Sequence, residues 1–297
     1  MPLSALLTAR RKAFRAAVFR FYRRHKRDLP WRRTRDPYRI LVSEIMLQQT
    51  QVDRVIPKYK EFLARFPTLD SLARARVADV VRAWLGLGYN GRAVRLWQCA
   101  RDLQTHHRGV LPRDPQQLRR LPGIGPYTAS AVAAIAFGAP VAPVDVNVSR
   151  VLSRVFKGRD QLATARVGAL AQAAMPARAA GAWAQALMDL GARHCRAQPR
   201  CGECPVRTVC MYTRRYPSAA HSRRNRATSQ RYAGSNRYYR GRIVRVLSTD
   251  DHLTVRALGR KVKDGFAISD VTWLHELLRG LERDGLVRVH RGRVRLA

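Results

Sequence analysis

The chain has 297 residues, enough for two domains with substantial cores, and carries 57 Lys and Arg against 20 Asp and Glu, a formal net charge of +37. This excess indicates a polyanionic partner. Nucleic acid fits better than a membrane surface, because neutralised phosphates release counterions. No apolar run approaches the roughly 18 residues of a membrane span, and no signal peptide is apparent. We therefore expect a cytoplasmic, nucleoid-associated protein.

The N-terminal segment and the middle of the chain predict a mainly helical protein. Residues 1–35 hold twelve Lys and Arg and one acid, and Phe14, Val18, Phe19 and Tyr22 recur at helical spacing, as in an amphipathic helix with a basic outer face. From about residue 37 to 210, short helical patterns are joined by Gly and Pro turns, and the period-two alternation of strands is scarce.

The segment ILVSEIMLQQTQV, residues 40–52, contains the first candidate for chemistry. Glu44 lies in an apolar helical stretch, where loss of water raises the pKa of a carboxyl toward use as an acid. Gln48 follows one turn later on the same face. The alternative is that Glu44 is one partner of a buried ion pair.

The segment LPGIGPYTASAVAAIAFG, residues 121–138, predicts a phosphate-binding turn. Gly123 and Gly125 flank Ile124, so the turn can adopt positive φ and expose consecutive N–H groups beside the helix that begins near Tyr127. Such donors bind a DNA phosphate without identifying a base. A plain turn between two helices is the alternative, but the charge of the chain favours a helix-hairpin-helix.

Asp145, in PVDVNVSRVLSRV, precedes an amphipathic helix and is either an N-cap or a second catalytic carboxylate. Further on, Cys195, Cys201, Cys204 and Cys210 fall in a C-x5-C-x2-C-x5-C pattern. In a reducing compartment this pattern predicts a metal site, with an iron–sulfur cluster favoured slightly over zinc. We expect the separate Cys99 to be a buried apolar residue.

The C-terminal part changes character. Residues 211–245 hold ten Arg and no acid, and we expect them to raise general DNA affinity without selecting the base. Residues 213–235 have the composition of a basic linker. Three helical patterns then precede LVRVHRGRVRL, which predicts a hairpin; this order is that of a winged helix, with a small helical packing domain as the alternative.

Several motifs together resemble those of helix-hairpin-helix DNA glycosylases, over roughly residues 15–212. They are VSEIMLQQTQV, LGLGYNGRA, LPGIGPYTA, VDVNVSRVL and the four-cysteine loop, in that order. DLPWR at 28–32, the double Gln and the D-x-N sequence are most similar to adenine DNA glycosylases of the MutY type, in a short form like that of actinobacteria. The resemblance implies a two-lobed fold and a monofunctional base-excision-repair enzyme that hydrolyses the N-glycosidic bond of adenine mispaired with 8-oxoguanine or guanine.

The resemblance also implies roles for individual residues. Glu44 matches the general acid, Asp145 the carboxylate that stabilises the cationic sugar, and Asn147 a residue that positions the site. Tyr127 stands where enzymes with strand-cleaving activity carry a lysine. The residues matched to DNA contact are Gln48, Gln49, Tyr89, Gly123, Gly125, Trp31 and Arg32. Among these, Tyr89 matches an aromatic wedge beside the mispair, and Trp31 and Arg32 match residues around the adenine pocket.

The same resemblance implies that the four cysteines hold a 4Fe–4S cluster. It also implies that the protein is a monomer and that its partner is double-stranded DNA with a mispair or damaged base. It implies a core at 1–212, with a six-helix lobe at about 37–138 and a cluster lobe formed by the N-terminal helix and 139–212. The linker at 213–235 and a winged-helix-like domain at 236–297 follow.

The chain departs from the family pattern in three places. Five residues separate the first two cysteines where six are usual, Val146 stands where Gly is common, and a Nudix-like C-terminal domain is missing. Two other functions stay open. One is a thymine or uracil glycosylase acting on G mismatches, and the other is a non-catalytic DNA-binding protein, although binding alone would require neither Glu44 nor Asp145.

Overall fold

The computed structural model describes residues 3–216 and 232–297, so much of the predicted linker at 213–235 lies outside the described residues. The described chain is mainly helical, as predicted. Its α-helices are α1 (Leu3–His25), α2 (Pro37–Leu47), α3 (Val52–Arg65), α4 (Leu69–Arg74), α5 (Val77–Trp84), α6 (Gly91–His106), α7 (Pro115–Leu118), α8 (Pro126–Ala136), α9 (Val146–Lys157), α10 (Thr164–Ala174), α11 (Ala180–Arg193), α12 (Met211–Arg215), α13 (Asn236–Thr249), α14 (Val255–Val262) and α15 (Val271–Arg283). Its strands are β1 (Leu253–Thr254), β2 (Val287–His290) and β3 (Arg293–Leu296). Within the described ranges, no helix is both long and apolar enough to cross a bilayer.

The described residues form two compact units. The first contains residues 3–41, 112–120 and 124–216, and the second contains 42–111, 121–123 and 232–297. The C-terminal residues therefore belong with helices α3 to α6.

The core of the first unit forms around α1, α9 and α11. Phe14 and Val18 of α1 are fully buried, whereas Phe19 and Tyr22 pack at the edge, so the predicted amphipathic helix is confirmed. The ring of Phe14 meets those of Phe156 and Trp183 edge-on, at centroid distances of 5.2 and 5.6 Å. These contacts hold the C-terminal turn of α9 against α1 and α11; Asp145 lies at the other end of α9.

The second unit combines a helical core with the C-terminal elements. In the helical part, the rings of Phe62 and Trp84 pack edge-on at 5.8 Å. In the C-terminal part, α13 to α15 pack on an antiparallel sheet of order β1-β3-β2. Along the β2–β3 hairpin, Val294 and Leu296 point into the core and the intervening Arg295 is exposed, which is the alternation expected for a half-buried strand.

Candidate active site

Asp145 is the N-cap of α9, and both of its carboxylate oxygens accept hydrogen bonds. The backbone N–H of Val148 donates to Oδ1 at 2.7 Å, and Nδ2 of Asn147 donates to Oδ2 at 2.8 Å. The N-cap role that the sequence left as an alternative is therefore present. Capping fixes the orientation of this carboxylate at the positive end of a helix.

Asn147 links Asp145 to the cysteine loop. Its Oδ1 accepts a hydrogen bond from Nη2 of Arg150 at 2.7 Å, and Nε of Arg150 donates to the carbonyl oxygen of Cys195. Burial lowers the pKa of Arg150 from its usual value. A continuous set of hydrogen bonds thus runs from the candidate catalytic carboxylate to the first cysteine.

Helix α11 packs directly against Asn147 through a glycine. A Cβ placed on Gly191 would lie 2.6 Å from Cβ and 3.1 Å from Cα of Asn147. Real non-bonded carbon atoms stay about 3.5–4.0 Å apart. Gly191 therefore allows α11 to lie directly against Asn147, a contact that sequence reasoning missed because a lone Gly in a helix pattern does not show what lies against it.

Val146 and Tyr127, two other positions that the resemblance singled out, also lie in the first unit. The side chain of Val146 is 70 % exposed, and its backbone is not left-handed, so the replacement of the common glycine causes no strain there. Tyr127 is half-buried on α8, and its hydroxyl donates to Sδ of Met188 on α11 at 3.7 Å.

Trp31 and Arg32 lie in a short 3-10 helix, Pro30–Arg32, of the first unit. Trp31 is buried. Arg32 forms a two-pronged ion pair with Asp189 of α11, Nη1 to Oδ2 at 2.7 Å and Nη2 to Oδ1 at 3.0 Å, and Arg27 donates to the same carboxylate. The guanidinium of Arg32 thus binds α11, a partner 157 residues away that no local pattern indicates.

Glu44 is buried in α2, only 7 % exposed, beside the apolar residues Ile45 and Leu41. Its helix ends at Leu47, and the two glutamines follow in a turn. Gln48 is half-buried, and Gln49 is exposed with φ 55°, in the left-handed region that non-glycine residues rarely adopt.

Tyr89 lies in a second loop of the same unit and has the same unusual conformation. Its φ is 48°, and its side chain is 40 % exposed, which is high for a large aromatic residue. Left-handed backbone at non-glycine residues persists only where surrounding contacts enforce it.

Arg92 supplies those contacts. It is 4 % exposed, and burial lowers its pKa to about 10. Its Nη1 donates to the carbonyl oxygens of Ile45, Met46 and Gln48 at 2.8, 3.0 and 2.5 Å, and its Nη2 donates to Thr50 Oγ1 and to the Gly88 carbonyl at 3.0 Å each. One side chain therefore satisfies the free carbonyls at the end of α2 and ties the Gln48–Gln49 turn to the Tyr89 loop.

The predicted hairpin turn lies between α7 and α8. Gly123 has φ 77°, and a Cβ there would lie 2.8 Å from Cβ of Arg95. Both the left-handed backbone and the close contact therefore require glycine at this position. Gly125 differs from the expectation of positive φ: it is extended, with φ −84° and ψ 175°, and serves as the N-cap of α8. An added Cβ at Gly125 would meet nothing.

The four cysteines of the loop line one largely apolar cavity in the first unit, together with residues such as Leu190, Val206 and Arg154. Nη1 of Arg154 donates to Sγ of Cys195 at 3.5 Å and to the carbonyl oxygen of Arg196 at 2.6 Å. Within the described ranges, no three His, Cys, Asp or Glu side chains converge closely enough for one metal ion. Cys99 is buried, as predicted.

The first unit brings together Asp145, Asn147 and the cysteine loop through Arg150. The second brings together Gln48, Gln49 and Tyr89 through Arg92. Neither arginine was assigned a role from the sequence, although Arg92 lies within the motif LGLGYNGRA.

Comparison with known proteins shows that this chain is similar to DNA glycosylases of base excision repair. Residues 42–174 match the family described as HhH-GPD superfamily base excision DNA repair protein. The chain is 41 % identical to the adenine DNA glycosylase of Mycolicibacterium smegmatis over 271 residues, covering 90 % of each chain. It is 42 % identical to the adenine DNA glycosylase of Mycobacterium tuberculosis over 243 residues, covering 80 % of this chain and 79 % of the other.

Among solved structures, this chain is similar to a thermostable thymine-DNA glycosylase. The TM-score is 0.67 at 31 % sequence identity, covering 70 % of this chain and 99 % of the other. The relatives found by sequence are named for adenine, and this solved structure is named for thymine.

Proposed function

We propose, from the premise that this chain belongs to the adenine DNA glycosylase family of helix-hairpin-helix base-excision-repair proteins, that it hydrolyses the N-glycosidic bond of adenine mispaired with 8-oxoguanine or guanine. Adenine is favoured over thymine by the extent of the similarity. The adenine relative matches at 41 % over 90 % of this chain, and the thymine relative matches at 31 % over 70 %.

The observation that carries the proposal is the way Asp145 is held. Two hydrogen bonds, at 2.7 and 2.8 Å, fix its carboxylate at the start of α9, and the backing of Asn147 by Arg150 and Gly191 fixes the second donor. A carboxylate that only capped a helix would need the Val148 amide alone. We assign Asp145 to stabilise the positive charge that develops on the sugar as the bond breaks.

Glu44 is assigned the complementary role of general acid. Glu44 is only 7 % exposed, in the apolar helix α2. A proton delivered to adenine makes the base a better leaving group, and the resulting carboxylate then activates the attacking water. Two carboxylates in different environments is the usual division of labour in glycoside hydrolysis.

Tyr127 makes the proposed enzyme monofunctional. A strand-cleaving glycosylase needs an amine that forms a Schiff base at the sugar carbon, and Tyr127 offers a phenol whose hydroxyl binds Met188. Base release then ends with an intact strand that carries an abasic site.

DNA contact is assigned to the two loops that Arg92 joins and to the hairpin. Gln48, Gln49 and Tyr89 act at the opposite base and in the space that the flipped adenine leaves. The backbone amides near Gly123 and Gly125 bind phosphate at the N-terminus of α8. Trp31 is assigned to the adenine pocket, and Arg32 orients that pocket through Asp189. The partner is a mispaired duplex, bound by one copy of the protein.

We assign a 4Fe–4S cluster to Cys195, Cys201, Cys204 and Cys210. Four thiols on one cavity, with the backbone of the loop tied to α9 by Arg150 and Arg154, fit such a group. When bound, the cluster cross-links a basic loop. Purified protein should be brown and hold about four irons per chain; colourless protein with one zinc would contradict the assignment.

The C-terminal residues 236–297 are assigned as a winged-helix-like domain, from three helices and a hairpin whose β3 also pairs with β1. Their exposed arginines on the hairpin suit contact with phosphates.

The proposal is tested by base release from a panel of duplexes with A:8-oxoguanine, A:G, T:G and U:G pairs, under single-turnover conditions. We expect adenine release from the first two and little from the others. Release of thymine or uracil with adenine left in place would establish the alternative mismatch glycosylase. Duplex binding without any release would establish the non-catalytic function.

A further inference from the structure

The C-terminal module, residues 236–297, contacts the helices that carry the Tyr89 loop. Nε of Arg82 on α5 donates to the carbonyl oxygen of Ser248 at 3.2 Å, and the same guanidinium lies 3.6 Å from Asp251. Gly285 has φ 69°, and a Cβ there would lie 3.1 Å from Cγ1 of Val94 on α6. The module is thus held close to the start of α6, where Tyr89 lies.

From this position, one arginine of the module covers the ring of Tyr89. The guanidinium carbon of Arg237, in the first turn of α13, lies 4.3 Å from the centroid of the Tyr89 ring. It also lies 5.3 Å from the ring of Tyr232, which packs edge-on against Tyr238 at 5.7 Å. We call Tyr89, Arg237 and Tyr232 the Tyr89 stack.

A second guanidinium, that of Arg92, also lies near the ring of Tyr89. The guanidinium of Arg92 lies 5.7 Å from the Tyr89 centroid, so Arg92 fixes the backbone of the loop and Arg237 contacts the ring itself. The side chain of Tyr89 is 40 % exposed, so the protein encloses its ring only in part. A planar guanidinium suits this task, because it lies flat on an aromatic face, whereas a lysine ammonium contacts the face only as a compact charge on a flexible stem.

We propose that Arg237 is a positioning residue that holds the ring of Tyr89 in the orientation for insertion beside the mispair. The C-terminal module then contributes to mispair recognition as well as to general affinity, in contrast to the expectation from charge alone. This inference rests on the proposed function insofar as it takes Tyr89 to be the wedge.

The test separates stacking from simple attraction to phosphate. Arg237→Lys keeps the charge and loses the planar stack, and Arg237→Ala loses both. Arg245→Ala is the charge-matched comparison, because Arg245 is exposed on the same helix two turns later and sets the loss due to one charge. Each variant is made in the full chain and also in a Tyr89→Ala background.

Two measurements are made. The first is the single-turnover rate of adenine release from A:8-oxoguanine at saturating protein. The second is the fluorescence of 2-aminopurine placed beside the opposite base, in a duplex whose adenosine carries a 2′-fluorine that blocks hydrolysis. Insertion of Tyr89 unstacks the reporter and raises its fluorescence.

We expect Arg237→Lys to lower both the fluorescence rise and the release rate by about 2-fold, because the ammonium keeps part of the contact, and Arg237→Ala to lower them by roughly 2- to 5-fold, the loss of a whole exposed cation–π contact. The affinity of Arg237→Lys for a fully paired duplex should equal that of the native protein, and Tyr89→Ala should abolish the difference between Arg and Lys. Native behaviour of Arg237→Lys in both measurements would overturn the inference, as would a lysine effect that persists without Tyr89.

Failure of the proposed function gives a different result. If the native protein releases no adenine, that function is wrong, but the fluorescence rise and its dependence on both residues still test the Tyr89 stack. If adenine is released and Arg237→Lys matches native protein, only the inference about Arg237 fails.

Discussion

Gly191→Ala should disrupt catalysis through Asn147 while the protein still folds. The new methyl group would start 2.6 Å from Cβ of Asn147, so α11 and the start of α9 must separate by about 1 Å to reach ordinary contact. A displacement of that size near reacting groups can cost up to about 100-fold in rate. We expect a fall of at least 10-fold in single-turnover adenine release.

The effect on stability should be smaller than the effect on rate. Overpacking costs roughly 1–3 kcal/mol, and replacement of a helical Gly by Ala returns about 1 kcal/mol. The free energy of unfolding should therefore drop by at most about 2 kcal/mol. Urea unfolding measures this quantity, and circular dichroism verifies that the helices are intact.

Gly168→Ala is the matched control. Gly168 also lies inside a helix of the same unit, α10, and an added Cβ there would meet no atom within 4 Å. This variant should be as active as native protein and more stable by up to about 1 kcal/mol. If Gly191→Ala released adenine as fast as Gly168→Ala, Asn147 would not position the site, and the reasoning from the hydrogen bonds of Asp145 would be refuted.

Three further predictions concern the hairpin, the loop contacts and strand cleavage. Gly123→Ala should destabilise the protein by roughly 1–3 kcal/mol and weaken duplex binding, because it combines left-handed backbone with a 2.8 Å contact. Gly125→Ala should be almost neutral in urea unfolding, and equal effects of the two variants would contradict the assignment. Arg92→Lys should lower the free energy of unfolding by roughly 2–3 kcal/mol, since an ammonium cannot satisfy the carbonyls of both loops. A native-like free energy of unfolding would show that those contacts are dispensable. Borohydride should trap little covalent adduct between native protein and DNA, and Tyr127→Lys should gain some; strong trapping of native protein would require another amine in the site.

The sequence predicted the features that depend on local pattern. The burial of Phe14 and Val18 follows from helical spacing, and the left-handed Gly123 follows from the Gly-x-Gly turn. The cap formed by Asp145 follows from its place before a helix. Three helices and a hairpin at the C-terminus likewise follow from changes of period.

The sequence did not predict contacts between distant segments. Arg32 binds Asp189, and Gly191 packs against Asn147, each across a long separation that leaves no periodic signal. Positive φ at Gly125 was expected because two glycines look alike in sequence, yet only Gly123 meets a neighbouring side chain. The contact of Arg237 with Tyr89 is of the same kind, because ten arginines in one basic tract cannot be told apart by charge.

The central claim is that Glu44 and Asp145 divide the chemistry of adenine release. The most direct test is single-turnover kinetics on an A:8-oxoguanine duplex, with native protein, Glu44→Gln and Asp145→Asn. The dissociation constant of each protein for the duplex is measured in parallel. The interactions of Glu44 and Asp145 act mainly in the transition state, so each variant should lose at least about 1000-fold in rate while its dissociation constant changes little. Adenine release by either variant at close to the native rate would contradict the account.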